Sequence, residues 1–305
     1  MLYFDDIDKI QIPKNTVVTL GKFDGVHRGH QKLLANVHEI AKKDDLLTCA
    51  FTFNISPQAR LSHKKYLSIL DNSERMHVLE SFGMDVLVEC RFTDAVRNMD
   101  PYDFIKNVLI EKLKCRAVVT GTDFCFGKDR KGTPEFLKKT GESMGIEVRI
   151  IDKVMYEDRE ISSTYVKEEL LKGNLPLVNN LLGFPFFAEG EIVHGESNGR
   201  TIGFNTANIV PSGHKMLPPN GVYYTDIHIK GQTYKGITNI GYRPTVDGKT
   251  LDIETHIPDF NGDIYGEPAK VDFYEFARPE KKFGSLDELK EQIKTDIENM
   301  KKRRT

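Results

Sequence analysis

The strand-like run Val17–Leu20 leads into Gly21-Lys22-Phe23-Asp24-Gly25-Val26-His27-Arg28-Gly29-His30-Gln31. A strand, a glycine-containing turn and a helix start bring backbone N–H groups and the positive end of a helix together, a setting for an anion. His27 and His30 are three residues apart, so both imidazoles reach one side of the first helical turn. Gly21, Gly25 and Gly29 leave room for a phosphate chain to approach the backbone. Such a constellation suits an α-phosphate under in-line attack, with the imidazoles donating to its oxygens as negative charge redistributes. Lys22 and Arg28 are nearby cations that either assist or are simply solvated. The alternatives for H-x-x-H are a metal pair, which lacks a third ligand close in sequence, and two ordinary histidines. Ile161-Ser162-Ser163-Thr164 is a hydroxyl-rich helix start, apt for phosphate and equally for capping.

The elements that must position these groups come in two textures. Up to about residue 172, the strand-like runs Val17–Leu20, Leu46–Phe53, Asp85–Glu89, Ala117–Thr120 and Glu147–Ile151 alternate with helix-like stretches. The helices read Gly29–Lys43, Ser73–Phe82, Pro101–Leu113 and Pro134–Met144, with starts marked at Asp71-Asn72-Ser73 and Asp100-Pro101. This alternation predicts a parallel sheet covered on both faces, with ligands at the carboxyl ends of its strands. From about residue 186, the segments Gly221–Lys230, Gln232–Asn239, Leu251–Ile257 and Ala269–Phe276 are short, β-branched or aromatic, and broken by turn residues. They predict a small antiparallel barrel with a hairpin at Lys230-Gly231-Gln232. Leu286, Leu289, Ile293 and Ile297 fall at helical spacing in the tail. Residues 173–187 read as the connection between the halves.

Composition narrows the function classes. The chain has 305 residues, 43 Lys plus Arg and 45 Asp plus Glu, hence a formal net charge of -2. No large basic excess is available for a nucleic acid, whereas one small nucleotide needs only a local site. Lys301-Lys302-Arg303-Arg304 reads as a solvated helix end. No uncharged apolar run approaches a membrane span, and the first residues are acidic where a signal peptide is basic. The four cysteines form no C-x-x-C pair and read as buried free thiols of a cytoplasmic protein.

The string Gly21 to Gln31 resembles the H-x-G-H signature of the nucleotidyltransferase superfamily, in the G-x-F-D-G-x-H-x-G-H form of prokaryotic FAD synthetases. Gly121-Thr122-Asp123-Phe124-Cys125-Phe126-Gly127, with Gly132 closing the loop, is similar to that family's G-x-[DN]-F-x-F-G loop. Ile161 to Thr164 resembles its I-S-S-T-x-x-R segment. Gly199-Arg200-Thr201-Ile202-Gly203-Phe204-Asn205-Thr206-Ala207-Asn208 resembles the riboflavin kinase G-R-x-x-G-x-P-T-A-N string. Gly221-Val222-Tyr223, Asn239 to Thr245, Glu254-Thr255-His256, Asp263-Ile264-Tyr265-Gly266 and Arg278-Pro279-Glu280-Lys281-Lys282-Phe283 look like the remaining kinase segments, in order.

The resemblance implies a bifunctional riboflavin kinase/FAD synthetase of α/β class. A Rossmann-like nucleotidyltransferase domain with a parallel sheet would span 1–184, and an antiparallel β-barrel kinase domain with a terminal helix 185–305. It implies His27 and His30 at the adenylyl transfer, with Gly21, Phe23, Asp24, Gly25, Ser163, Thr164 and Lys167 on ATP and Asp123, Phe124 and Phe126 on the flavin. In the kinase half it implies Glu254 as the base, Gly203, Thr206 and Asn208 on ATP, and Arg278 and Phe283 on the flavin. Thr206 and Asn208 alternate across one residue, and their hard oxygens suit Mg²⁺ carried by ATP. The expected substrates and products are ATP, riboflavin, FMN and FAD, with no nucleic acid and no membrane partner.

Three positions depart from the family pattern. Asn205 stands for Pro, Ser56 for His, and Lys167 for Arg, which loses the planar fork. Asn205 keeps open a monofunctional FAD synthetase whose kinase half has decayed. A flavin-binding regulator without turnover is the alternative from another class.

Overall fold

The first unit runs β1 (Leu2–Phe4), β2 (Thr16–Leu20), α1 (Arg28–Asp44), β3 (Leu47–Phe53), α2 (Asn72–Ser81), β4 (Val86–Cys90), α3 (Asp94–Arg97) and α4 (Pro101–Asp103). It continues through a π-helical stretch (Phe104–Lys112), β5 (Cys115–Gly121), α5 (Pro134–Ser143), β6 (Glu147–Ile151) and a small hairpin, β7 (Met155–Tyr156) and β8 (Arg159–Glu160). The second runs α6 (Ser163–Leu171), α7 (Leu175–Leu182), β9 (Phe186–Val193), β10 (Thr206–Ile209), β11 (Gly221–Ile229), β12 (Gln232–Thr245), β13 (Gly248–His256), β14 (Pro268–Arg278) and α8 (Leu286–Arg303). This computed structural model describes residues 1–54, 66–194, 206–245, 248–258, 260 and 262–303. The chain divides between Ser163 and Thr164, just inside α6.

β2 reads TVVTL and is buried at every position, as suits the middle of a parallel sheet covered on both faces. The sheet order is β1-β4-β3-β2-β5-β6, and every pairing is parallel. From β2 the chain winds outward through β3 and β4, then returns to place β5 on the other side. The loops after β2 and β5 therefore open side by side, at the point where winding reverses. α1 buries Leu33, Leu34, Val37, Ile40 and Ala41, an apolar stripe at helical spacing, against β2, β3 and β5. The other face carries Val18, Leu20, Phe51, Val88 and Val118 against Phe104, Ile105, Val108 and Leu109.

The expected helix starts hold. Asp71 and Glu74 form a reciprocal capping box, and Asp100 caps ahead of Pro101. Two differences from the sequence expectation touch the sheet and its cover, besides the unforeseen α3 and β7–β8 hairpin. The helix expected over Pro101–Leu113 widens from Phe104, where Leu113 N–H donates to Val108 O, five residues back. β1 was not foreseen: three residues carry no periodicity, and its partner β4 is far along the chain.

The second unit is a closed six-stranded barrel, β10-β13-β12-β11-β14-β9. The expected hairpin forms between Ile229 and Gln232, with Lys230 at φ 51 and Gly231 at φ 74, the handedness that matches twisted strands. Its interior holds Tyr223 and Phe273 and a chain of threonine hydroxyls, Thr225 to Thr238 at 2.7 Å and Thr238 to Thr255 at 2.9 Å. On the outer face Val222, Tyr224 and Ile237 pack under Ile297 and Met300 of α8. The stretch expected to be a plain connection is α7 followed by the start of β9. Leu175, Val178, Leu181 and Leu182 are its buried residues, and Gly183 ends it at φ 80.

Asn179 ties α7 to the barrel. Its amide donates to Phe273 O at 2.9 Å, and its oxygen accepts Phe186 N–H at 2.7 Å. Asn179→Ala strands both backbone groups, and roughly 2–3 kcal/mol of stability is expected to be lost. Calorimetric melting of the variant checks this; an unchanged transition would show that water replaces both contacts.

Candidate active sites

The turn from β2 into α1 is strained and pinned. Phe23 lies at φ 48 and Val26 at φ 40, a region that costs side-chain-bearing residues about 1–3 kcal/mol each. Gly25, at φ 87, occupies the place where only glycine is relaxed. The carbonyls of this turn face the protein. Lys22 O accepts Thr52 Oγ1 at 3.2 Å, Phe23 O accepts Val26 N–H at 3.2 Å, Asp24 O accepts Ser163 Oγ at 2.8 Å and Val26 O accepts Gln31 Nε2 at 2.8 Å. In a trans peptide the N–H points opposite to the C=O. The N–H groups of Phe23, Gly25 and His27 are thus turned the other way, as an anion-binding turn requires.

His27 precedes α1 and His30 lies in its first turn. Their rings stack with centroids 3.8 Å apart and 23° between planes, as the spacing predicts. Burial pushes His27 down to about 4 and His30 well below the usual histidine range. Both are therefore neutral near pH 7. Neither Nδ1 has a protein partner among the described residues. The pair is thus poised to give hydrogen bonds to oxygens rather than net positive charge.

Other expected residues have duties of their own. Asp24 is buried, with Oδ1 accepting Ile69 N–H at 2.7 Å and Oδ2 accepting Tyr66 OH at 2.8 Å. It clasps the turn. Gly21 and Gly29 make room for protein rings: a Cβ would lie 3.2 Å from the Phe23 ring and 3.1 Å from the His27 ring, respectively. Phe126 sits in the core between Phe104 and Phe136, and Phe124 stacks on it at 5.8 Å. Asp123 is exposed and pairs with Lys153 at 3.2 Å; Lys153 also holds Glu160 at 2.6 Å. Nothing in the sequence signals Lys153, because its partners come from distant loops. Ser163 belongs to the first unit, Thr164 and Lys167 to the second. Cys49, Cys90 and Cys115 are buried thiols as expected, and Cys125 is half-buried. Burial raises the first three, Cys90 and Cys115 to about 12, which suppresses thiolate chemistry.

In the barrel, strand register assembles the second set. Asn208 on β10 lies opposite Glu254 on β13, and Glu254 opposite Asn239 on β12. The row continues through Val222 on β11 to Arg278 on β14. Directly opposed residues share a face, so all five lie on the side of the barrel wall turned away from its interior, where Asn208 and Val222 are nonetheless buried. Thr206, two residues from Asn208, is opposite His256. The expected pairing of Thr206 and Asn208 on one face is thus present, with Glu254 beside them. Arg278 on β14 ends this row, four strands on from Asn208 by way of β13, β12 and β11. Its guanidinium grips Asp296 of α8, Nε at 3.0 Å and an Nη at 2.8 Å from one oxygen, and lies 6.0 Å from the Phe283 ring centre. Asn239 and Glu280, 3.5 Å apart, join the site through pairing that the sequence does not announce. Gly203, Asn205 and Ser56 lie outside the described residues.

The FAD synthetase family matches residues 9–165, and the riboflavin kinase family residues 182–303. A bifunctional riboflavin kinase/FMN adenylyltransferase of Bacillus subtilis is 36% identical over 291 residues, 92% of this chain and 90% of the relative. One of Listeria monocytogenes is 38% identical over 288 residues, with the same coverage. A crystal structure described as a macrolide-efflux protein from Streptococcus pneumoniae superposes with a TM-score of 0.87 at 35% identity, covering 98% of each chain. Among the described residues of the present chain, no helix is long and apolar enough to cross a membrane.

The depressed imidazoles make stability depend on pH. An unfolded histidine titrates near 6.5, and folded His27 near 4. Between those values the unfolded chain binds more protons, so stability falls as pH drops from about 6.5 toward 4. His27 alone should remove about 2 kcal/mol between pH 7 and 5. Urea titrations read through amide protection in α1 should show this slope, flattened in His27→Gln. Equal slopes in the two proteins would contradict the assignment.

Proposed function

The chain belongs to the family of bifunctional riboflavin kinases/FMN adenylyltransferases, and from that premise we propose which of its residues carry each step. It makes FAD from riboflavin by way of FMN, using ATP twice. What supports the assignment is that the turn with His27 and His30 lies in the first unit and the row Asn208–Glu254–Asn239 in the second.

In the barrel, Glu254 takes the proton of the ribityl 5′-hydroxyl as that oxygen attacks the γ-phosphorus of ATP; the bond to the β-phosphate oxygen breaks and ADP leaves. Thr206 and Asn208 present a hydroxyl and an amide oxygen on the same face. This donor set fits a Mg²⁺ that arrives on ATP and keeps phosphate and water ligands, since Mg²⁺ seldom uses an all-protein cage. The ion would neutralise phosphate charge there. Arg278 and Phe283, at the far end of the row, bound the flavin side, with the guanidinium already engaged by Asp296.

In the first unit, an oxygen of the FMN phosphate attacks the α-phosphorus of ATP, and pyrophosphate leaves. The N–H groups of the turn hold the phosphates, and the neutral His27 and His30 donate N–H bonds to oxygens whose charge grows in the transition state. The flavin would meet Phe124 and Asp123 at the end of β5, with Phe126 supporting them from the core. Small molecules are the partners, and the unreactive buried thiols accord with a reducing, cytoplasmic setting.

Chromatography of protein incubated with riboflavin, ATP and Mg²⁺ should show FMN and then FAD. His30→Ala should lower conversion of FMN to FAD by at least about 100-fold while sparing riboflavin phosphorylation. Glu254→Gln should do the reverse. Loss of both activities from either change, in folded protein, would contradict the division.

A further inference from the structure

Arg75 and Glu89 form a buried ion pair that neither site uses, 7% and 3% exposed. Neither belongs to a motif that marks the chemistry. Arg75 stands on α2 just after the capping box, and Glu89 near the carboxyl end of β4. Tyr3 of β1 donates its hydroxyl to the other Glu89 oxygen at 2.8 Å.

The guanidinium reaches further than its carboxylate. One Nη lies 3.5 Å from Lys22 O; the other donates to Glu89 and lies 3.4 Å from Phe53 O and 3.1 Å from Asn72 Oδ1. Asn72 in turn donates to Asn54 O at 3.2 Å. One planar cation therefore gathers the residues following β2, the end of β3 and the end of β4. These three strand ends form the edge from which the phosphate-facing turn rises. Lys22 O is also the carbonyl that Thr52 holds. Holding it sets the plane of the Lys22–Phe23 peptide, and so the direction of Phe23 N–H. A buried pair of charges is a weak source of stability compared with apolar residues of the same shape. Here the cation has donors left over for backbone, which an apolar replacement would not supply.

We propose that Arg75 is a positioning residue for adenylyl transfer, held by Glu89 so that its fork fixes the Lys22 and Phe53 carbonyls and thereby the turn that grips the phosphates. The proposal rests on the first unit performing that transfer. Wild-type conversion of FMN to FAD tests that reading; the ratio of variant to wild type tests Arg75. Riboflavin phosphorylation by the same molecules, in the other unit, serves as the internal control.

Arg75→Met is expected to lower kcat for FMN adenylylation roughly 10- to 100-fold, as small misplacements of reacting groups do. The KM for FMN and the rate of riboflavin phosphorylation should stay within about twofold. Arg75→Lys, which keeps charge without the fork, should fold and still lose most of the rate. The paired change Arg75→Met with Glu89→Leu leaves no stranded charge and should recover the melting temperature lost in Arg75→Met. Adenylylation should stay low in it. Recovery of the rate together with stability would overturn the proposal, since the pair would then be structural only. A wild-type rate in Arg75→Lys would overturn it as well.

Discussion

The turn between β2 and α1 holds a shape that its own residues resist. Phe23 and Val26 both carry side chains at positive φ, and a β-branched valine there is a severe case. The shape persists because hydrogen bonds from four directions take up its carbonyls and Asp24 clasps the backbone at Ile69. Strain in the turn and satisfaction of its carbonyls are one arrangement. Turning the carbonyls inward leaves N–H groups outward, and it seats both imidazoles at the head of α1. The parallel sheet, α2 and the segment that reaches Ser163 all supply groups to this one turn.

Charge is handled locally. A chain of net charge -2 has no general attraction for phosphates. Burial also strips the histidines of positive charge, which leaves oriented N–H dipoles as the groups presented at this turn. Such dipoles are already in place before the substrate arrives, and they need no reorganisation as charge moves in the transition state.

The barrel solves a different problem with register. Alternation sends Ala207, Ile253 and Thr255 inward while Thr206, Asn208 and Glu254 take the opposite face of the strands, Asn208 being buried there. Closure of the sheet brings β10 against β13, and a one-residue slip would turn every polar member of the row inward. The threonine chain inside the barrel and the packing of α8 outside it both oppose that slip. Arg278 links the two, lying in the same row as Glu254 and gripping α8 through Asp296.

The local order of the chain determined much of this. Apolar β-branched runs between amphipathic helices specify a parallel sheet, and the cap residues mark where α2 and α4 begin. The glycine and histidine spacing after β2 and the alternation of Thr206 and Asn208 announce their chemistry, because each depends only on neighbours in sequence. Tertiary structure alone decided the rest. That Asp24 is a clasp, that Phe126 belongs to the core and that Arg278 is already paired depend on residues tens of positions away. The same holds for β1, Lys153 and the Arg75–Glu89 pair. A side chain's type limits what it can bond, but its partner is chosen by which strand ends the fold brings together, and no local pattern carries that information.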